Sequence, residues 1–240
     1  EESRYRSSPT AAFGSTAYRH SSSRRSPSEA SRPHTRHTAT IHDPTPCALG
    51  EGPLWHPLRE QLFWFDIVKY RLLTREGGET RVVQFDEHVS AAGWVDETRL
   101  LVASETRLFL YDVESGARED VVPLEAETRA TRSNDGRADP WGGFWIGTMG
   151  FRAEPGAGAI YRYYQGALRQ LFGDITISNA ICFAPDRSCA YFTDTRTRKV
   201  MKVALDRDGW PDGAAEVFVD LTADALNPDG AVVDADGTLW

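Results

Sequence analysis

The sequence has few of the features that mark several large classes of protein. It contains three cysteines in 240 residues, Cys47, Cys182 and Cys189, an odd number with no paired spacing. This usage fits neither a disulfide framework nor a zinc knuckle and is typical of cytosolic thiols. No apolar run approaches the ~18 residues that a membrane span needs, and the first residues lack the apolar core of a secretory signal. We therefore expect a cytoplasmic protein that makes no membrane contact.

Lysine is absent from the first 38 residues, which hold seven arginines and three glutamates. This stretch is rich in Ser, Arg, Pro and Thr and has no hydrophobic periodicity, so we predict a disordered tail over residues 1–40. A basic arm that touches nucleic acid or another anionic surface is the alternative interpretation. The remaining residues carry a formal charge of −12. An acidic body argues against a nucleic-acid partner and is compatible with a cation site.

Helical periodicity is also missing: no segment of ten or more residues keeps an apolar stripe. Short runs rich in Val, Ile, Phe, Tyr and Trp recur instead, separated by turn-forming Asp, Gly, Pro and Asn. The predicted strands are Gln61–Ile67, Arg99–Ser104, Arg107–Asp112, Gly143–Thr148, Ala159–Tyr163, Cys189–Thr193 and Lys199–Leu205. Residues 41–240 are therefore predicted to form an all-β domain.

One phrase returns five times along this domain: apolar residues, a short polar turn, then a strand with aromatic residues. The equivalent turn positions are Pro57, Asp96, Pro140, Pro185 and Ala235, which lie 39 to 50 residues apart. That spacing is the length of a four-stranded propeller blade, roughly 40–50 residues. A β-sandwich is the alternative, but it would not normally repeat one phrase at this interval.

The repeat also aligns polar side chains. Six residues before each turn position stand Glu51, Ser90, Asn134, Asn179 and Asp229. Any one Asn or Asp beside Gly is more often a turn residue that bonds its own backbone. Four carboxylates or carboxamides in phase across one channel favour a compensating cation.

The donor types indicate which cation. Glu51, Asp229 and the Asn179 carbonyl are hard oxygen ligands, with no His or Cys at an equivalent position. Such ligands favour Ca²⁺ first, with Mg²⁺ or Mn²⁺ as alternatives and Zn²⁺ less suited. Three protein ligands leave positions open for water and substrate.

Five ordered motifs make the sequence similar to the regucalcin and gluconolactonase family over about residues 41–240. They are Gly50-Glu-Gly-Pro-Leu-Trp, Arg132-Ser-Asn-Asp-Gly, Gly147-Thr-Met, Ile177-Ser-Asn and Pro228-Asp-Gly. The resemblance implies a six-bladed β-propeller that hydrolyses sugar lactones with one divalent cation. By motif, it implies Glu51, Asn179 and Asp229 as metal ligands, and Arg132 and Asn134 as substrate-binding residues.

Two positions depart from the family pattern. Members often have an acidic residue shortly after Gly-Thr-Met, and Glu154 is the candidate for that substrate-binding role here, with a shifted loop. Ala180 replaces the Gly that commonly follows the metal-binding Asn, a mild change if the turn keeps a negative φ. The chain stops in the fifth repeat, so we expect five sheet units and a last blade that is missing or incomplete.

The resemblance implies opening of a lactone by water, for which Asp229 is the predicted general base. A serine-hydrolase mechanism is disfavoured because no Gly-x-Ser-x-Gly occurs. Two alternatives stay open: a phosphotriesterase-like propeller hydrolase, and a calcium-binding propeller without turnover. The expected partner is a small sugar lactone.

Overall fold

The computed structural model describes residues 39–240, in which β-strands form four antiparallel sheets of four strands each. The strands are β1 (Gly50–His56), β2 (Gln61–Asp66), β3 (Arg71–Glu76), β4 (Glu79–Gln84), β5 (Val89–Trp94), β6 (Arg99–Ser104), β7 (Arg107–Asp112), β8 (Arg118–Pro123), β9 (Thr131–Ala138), β10 (Phe144–Gly150), β11 (Gly158–Tyr164), β12 (Ala167–Ile175), β13 (Ser178–Phe183), β14 (Cys189–Asp194), β15 (Lys199–Ala204) and β16 (Glu216–Asp220). Two 3-10 helices, Ile67–Lys69 and Thr195–Thr197, follow β2 and β14. The predicted tail lies outside the described residues, apart from Ala39 and Thr40.

The all-β prediction is confirmed. Two of the predicted strands, Arg99–Ser104 and Arg107–Asp112, coincide with β6 and β7, and the other five match observed strands to within two residues at either end. Between residues 39 and 240, no helix is long and apolar enough to cross a bilayer.

The sheets pack face to face around a common axis, and β6 illustrates how. Leu100 and Val102 face the first sheet in one apolar cluster, whereas Leu101 and Ala103 face the third sheet in another. Successive residues of a strand point to opposite faces of the sheet. A strand that is covered on both faces therefore has a continuous apolar sequence. A third cluster, which includes Trp145 and Phe192, joins the third and fourth sheets. This arrangement is a β-propeller and not a sandwich of two sheets.

The innermost strands β1, β5, β9 and β13 are neighbours in that order and line the channel. The turns after them fall where the repeat predicts, for example at residues 95–98 and 184–188.

The expected fifth sheet is not formed within residues 39–240. The fifth repeat contributes a single β-bridge, Val233 to Leu239, beside the apolar cluster on the fourth sheet.

Candidate metal and substrate site

Each innermost strand carries a β-bulge at the channel mouth. The register shifts between Glu51 and Leu54 in β1, within 89–91 in β5, within 133–136 in β9, and between Asn179 and Cys182 in β13. A bulge inserts an extra residue and re-aims the side chains around it. The predicted site residues of β1, β9 and β13 thus lie where strict alternation between faces is broken.

The bulges of β1 and β13 place their second residue in the left-handed region. Gly52 has φ +57°, and a Cβ there would overlap the carbonyl oxygen of Ser90. Ala180 has φ +59°, so the negative φ that would make it a mild replacement for glycine is not present. A left-handed L-residue costs about 1–2 kcal/mol.

A continuous chain of hydrogen bonds crosses the mouth from β9 to the segment before Asp229. Arg132 Nη1 donates to Asn134 Oδ1 at 2.9 Å, and Asn134 Nδ2 donates to Asn179 Oδ1 at 3.2 Å. Asn179 Nδ2 donates to Thr195 Oγ1 at 2.9 Å, and Thr195 Oγ1 donates to the Pro228 carbonyl at 2.8 Å. Because each amide has a partner on both ends, its oxygen and nitrogen are assigned by the network.

Carboxylates meet at the same mouth. The pKa of Glu51 is raised by partial burial, next by the charge of Asp229, then by that of Asp135, while Arg132 opposes the shift. Burial also raises the pKa of Asp135, and Asp229 adds to that shift. Arg132 is itself buried, which lowers its pKa, and Glu51 partly offsets this effect. Glu51, Asp135 and Asp229 are therefore close enough to repel one another.

The donor set fits a hard divalent cation. Within the described residues, no three His, Cys, Asp or Glu side chains cluster as a metal centre. The donors that the predicted ligand set offers at the mouth are the carboxylates of Glu51 and Asp229 and an amide oxygen. Asn179 offers one, since its Oδ1 receives a single hydrogen bond in this part of the chain. Oxygen donors of mixed charge are typical of Ca²⁺ sites.

Glu154 lies in the exposed β10–β11 turn. Its pKa is lowered by its own backbone amide and then by the amide of Arg152, which donates to Glu154 Oε2 at 3.0 Å. In residues 39–240 these hydrogen bonds stay inside the turn. The substrate-binding role of Glu154 stays a prediction.

Sequence reasoning missed two residues of the mouth. Asp135 stands next to Asn134 within the bulge of β9, where its Oδ2 accepts the backbone amide of Ile181 at 2.8 Å and its charge raises the pKa of Glu51. Thr195 occupies the position that Ile67 has in the first sheet, after an Asp that ends a second strand. A hydroxyl at a position that holds an isoleucine elsewhere in the repeat was the available signal.

The described residues thus form four blades of a propeller with a polar channel mouth. The family model for the SMP-30/gluconolactonase/LRE-like region matches residues 49–240. The chain belongs to this family.

Known relatives agree in fold and in sequence. The crystal structure of regucalcin from Agrobacterium tumefaciens strain C58, described as a calcium-binding protein, has a TM-score of 0.80 and 42% identity, covering 82% of this chain and 68% of that one. An L-arabinolactonase of Azospirillum brasilense is 34% identical over 214 residues, 86% of this chain and 71% of the relative. A 6-deoxy-6-sulfogluconolactonase of Pseudomonas putida is 32% identical over 199 residues, 81% and 68% respectively. The chain spans about two thirds of the length of the curated relatives it matches.

Proposed function

We propose that the protein is a divalent-cation-dependent hydrolase that opens sugar lactones to aldonic acids. The observation that carries this proposal is the meeting of Glu51 and Asp229 with the amide chain through Asn134 and Asn179 at one channel mouth. Membership of the family and relatives named as lactonases support it.

In the proposed site, Glu51, Asn179 and Asp229 hold the cation. A bound divalent cation would supply Lewis acidity toward the lactone carbonyl and lower the pKa of a nearby water. Ca²⁺ is the first choice by donor type, and Mg²⁺, Mn²⁺ and Zn²⁺ are the alternatives.

The chain's own residues perform the proton transfer and the positioning. Asp229 accepts a proton as the oxygen of water bonds to the lactone carbonyl carbon, and returns it to the ring oxygen as the ring C–O bond breaks. Arg132 and Asn134 orient the ring oxygens and hydroxyls, and Glu154 binds a further hydroxyl from the β10–β11 turn. The products are an open-chain hydroxyl and a carboxylic acid.

Acid release from glucono-, galactono- and arabinono-lactone tests the proposal, measured with Ca²⁺ and after chelation. We expect turnover that chelation removes, near-complete loss in Asp229→Asn, and a raised KM with unchanged Ca²⁺ affinity in Asn134→Ala. Full turnover by Asp229→Asn at saturating Ca²⁺ would contradict its role as base.

The same assay separates the alternatives. Calcium binding without turnover would favour a calcium-binding propeller, which the likeness to regucalcin supports. Faster hydrolysis of a phosphotriester than of any lactone would favour the phosphotriesterase-like alternative.

We also propose a ring of six blades, of which the described residues form four and begin a fifth. Four sheets in a chain that spans about two thirds of its relatives support this count. An experimental structure with a closed five-bladed ring would overturn it. Three free thiols support a cytoplasmic location.

A further inference from the structure

A histidine at the channel mouth has no part in the site described so far. His88 directly precedes β5, and Ser90, two residues later, occupies the phase of Glu51 in the repeat. The Ser90 hydroxyl donates to Ser133 at 2.7 Å, beside Arg132. Two residues of extended strand rise about 7 Å. His88 therefore lies on the outer side of the layer of the predicted ligands.

Three blades contribute to the surroundings of His88. His88 Nδ1 and Glu105 Oε2 are 2.7 Å apart, and the backbone amide of Glu105 donates to the His88 carbonyl at 2.8 Å. The ring of Tyr70 meets the imidazole edge-on at 4.4 Å between centroids, and Phe151 lies at 5.1 Å on a tilted plane. Tyr70, Glu105 and Phe151 all follow second strands of their sheets, which end at this mouth.

This arrangement holds the imidazole in one orientation and leaves one nitrogen available. The Glu105 carboxylate accepts the Nδ1 proton, which fixes the ring plane and leaves Nε2 pointing away from Glu105. Among residues 39–240, Nε2 has no hydrogen-bond donor. The side chain of His88 is 16% exposed to solvent, and Phe151 is 38% exposed. The dyad therefore presents an oriented ring nitrogen beside the apolar, partly exposed ring of Phe151.

We infer that His88, held by Glu105 between Tyr70 and Phe151, binds the exocyclic hydroxyl end of the sugar lactone and thereby selects polyhydroxylated lactones. The inference rests on the proposed function. A lactone whose carbonyl reaches the Glu51 layer extends its exocyclic hydroxyls toward the height of His88. The ring nitrogen can bond a hydroxyl, whereas the neighbouring Glu105 carboxylate disfavours an anionic substituent.

Paired substrates test the inference: D-glucono-δ-lactone, which has the exocyclic hydroxyl, and δ-valerolactone, which has none. In His88→Leu we expect KM for gluconolactone to rise about tenfold, the size of one lost hydrogen bond, and KM for valerolactone to change less than twofold. His88→Gln keeps an acceptor and should recover part of the loss. An equal change for both lactones, or no change for gluconolactone, would overturn the assignment.

Glu105 is a positioning residue in this inference. Glu105→Gln should raise KM for gluconolactone about threefold, and it should add nothing in a His88→Leu background. Glu97→Gln, in the exposed β5–β6 turn at the opposite end of the strands, is the matched control. An additive effect in the double variant would refute the positioning role.

A binding measurement separates this inference from the proposed function. Calorimetry with 1,5-anhydroglucitol, which keeps the ring and exocyclic hydroxyl but cannot be hydrolysed, should show affinity about tenfold weaker in His88→Leu. If the unaltered protein hydrolyses no lactone yet His88→Leu weakens this binding, the proposed function fails and the assignment of His88 stands. Equal affinity, or no binding by the unaltered protein, overturns the assignment.

Discussion

The segments that lead into the first and the fourth sheet share one architecture and carry different chemistry. In the first, Asp66 accepts the backbone amides of Ala48 and Leu49, both at 3.0 Å. In the fourth, Asp194 accepts those of Thr176 and Ile177 at 2.9 and 3.1 Å. Each aspartate precedes a 3-10 helix that ends in a left-handed residue. The same scaffold thus delivers a carboxylate, Glu51, in one blade and an amide, Asn179, in the other.

The network explains why the fourth blade uses an amide. The Thr195 hydroxyl donates its proton to the Pro228 carbonyl, so toward Asn179 its oxygen can only accept. An aspartate at position 179 would face that oxygen with another acceptor and would add a further charge near Glu51 and Asp229. Equivalent positions in the repeat can therefore be charged or neutral. The choice depends on whether the neighbouring groups are hydrogen-bond donors or acceptors.

The largest expected effect concerns Glu51, which is the charged residue where the fourth blade has Asn179. Glu51→Gln should weaken Ca²⁺ binding by roughly 100-fold, because ligand charge sets affinity at oxygen sites. The Tm of the metal-free protein should stay equal or rise by ~2 °C, since a repelled carboxylate is removed. Titration calorimetry and scanning calorimetry measure the two quantities, with Glu97→Gln as control. Calcium affinity within threefold of the unaltered protein would show that Glu51 is not a ligand.

The second-largest expected effect concerns the backbone at Gly52, in the bulge of β1. Gly52→Ala should destabilise the fold by about 3 kcal/mol, because the new Cβ meets the Ser90 carbonyl in addition to the left-handed φ. Urea denaturation measures the change. A loss below ~1 kcal/mol would mean that the bulge in β1 relaxes easily, unlike the tight packing described here.

The third effect compares the two supporting aspartates. Asp66→Asn should cost ~2 kcal/mol and Asp194→Asn ~1 kcal/mol, since the third partner of Asp66 is the charged Arg71 at 2.6 Å, whereas that of Asp194 is the backbone amide of Arg196 at 3.1 Å. Burial raises the pKa of Asp66, but the hydrogen bonds from Arg71, Ala48 and Leu49 outweigh it and lower the pKa from 3.8. A lowered folded pKa stabilises the fold above pH 3.8 and ceases to do so as pH falls through the folded value.

The difference in unfolding free energy between the unaltered protein and Asp66→Asn should therefore shrink as the pH falls below 3.8. Denaturation series at several pH values measure it. Equal losses for the two aspartates at neutral pH would show that the Arg71 pair contributes nothing.

The smallest expected effect is an increase in the free energy of unfolding. Ala180→Gly should stabilise the fold by ~0.5–1 kcal/mol, because the relief of a left-handed alanine exceeds the added entropy of glycine in the unfolded chain. Calcium affinity should not change. Urea denaturation checks it, and a destabilised Ala180→Gly would show that the Cβ of Ala180, which is buried, contributes more by packing than its backbone costs.

Hydrophobic pattern and turn chemistry were enough to predict the all-β class, seven strands and the blade interval, because these depend on local periodicity. The pattern also identified Glu51, Asn134 and Asn179 as equivalent positions, and the structure joins the last two by a hydrogen bond. Equivalent positions lie close together because the blades are similar sheets arranged around one axis.

Tertiary structure alone decided which neighbours face the channel and which atoms they present. Asp135 lies in the bulge of β9, where its carboxylate accepts the amide of Ile181, 46 residues away, and its charge raises the pKa of Glu51. Thr195 acquires its role from the Pro228 carbonyl 33 residues away. The left-handed Ala180 and the dyad of His88 with Glu105 likewise arise from contacts between distant segments. Hydrogen-bond direction and backbone strain are properties of such contacts, and residue spacing does not encode them.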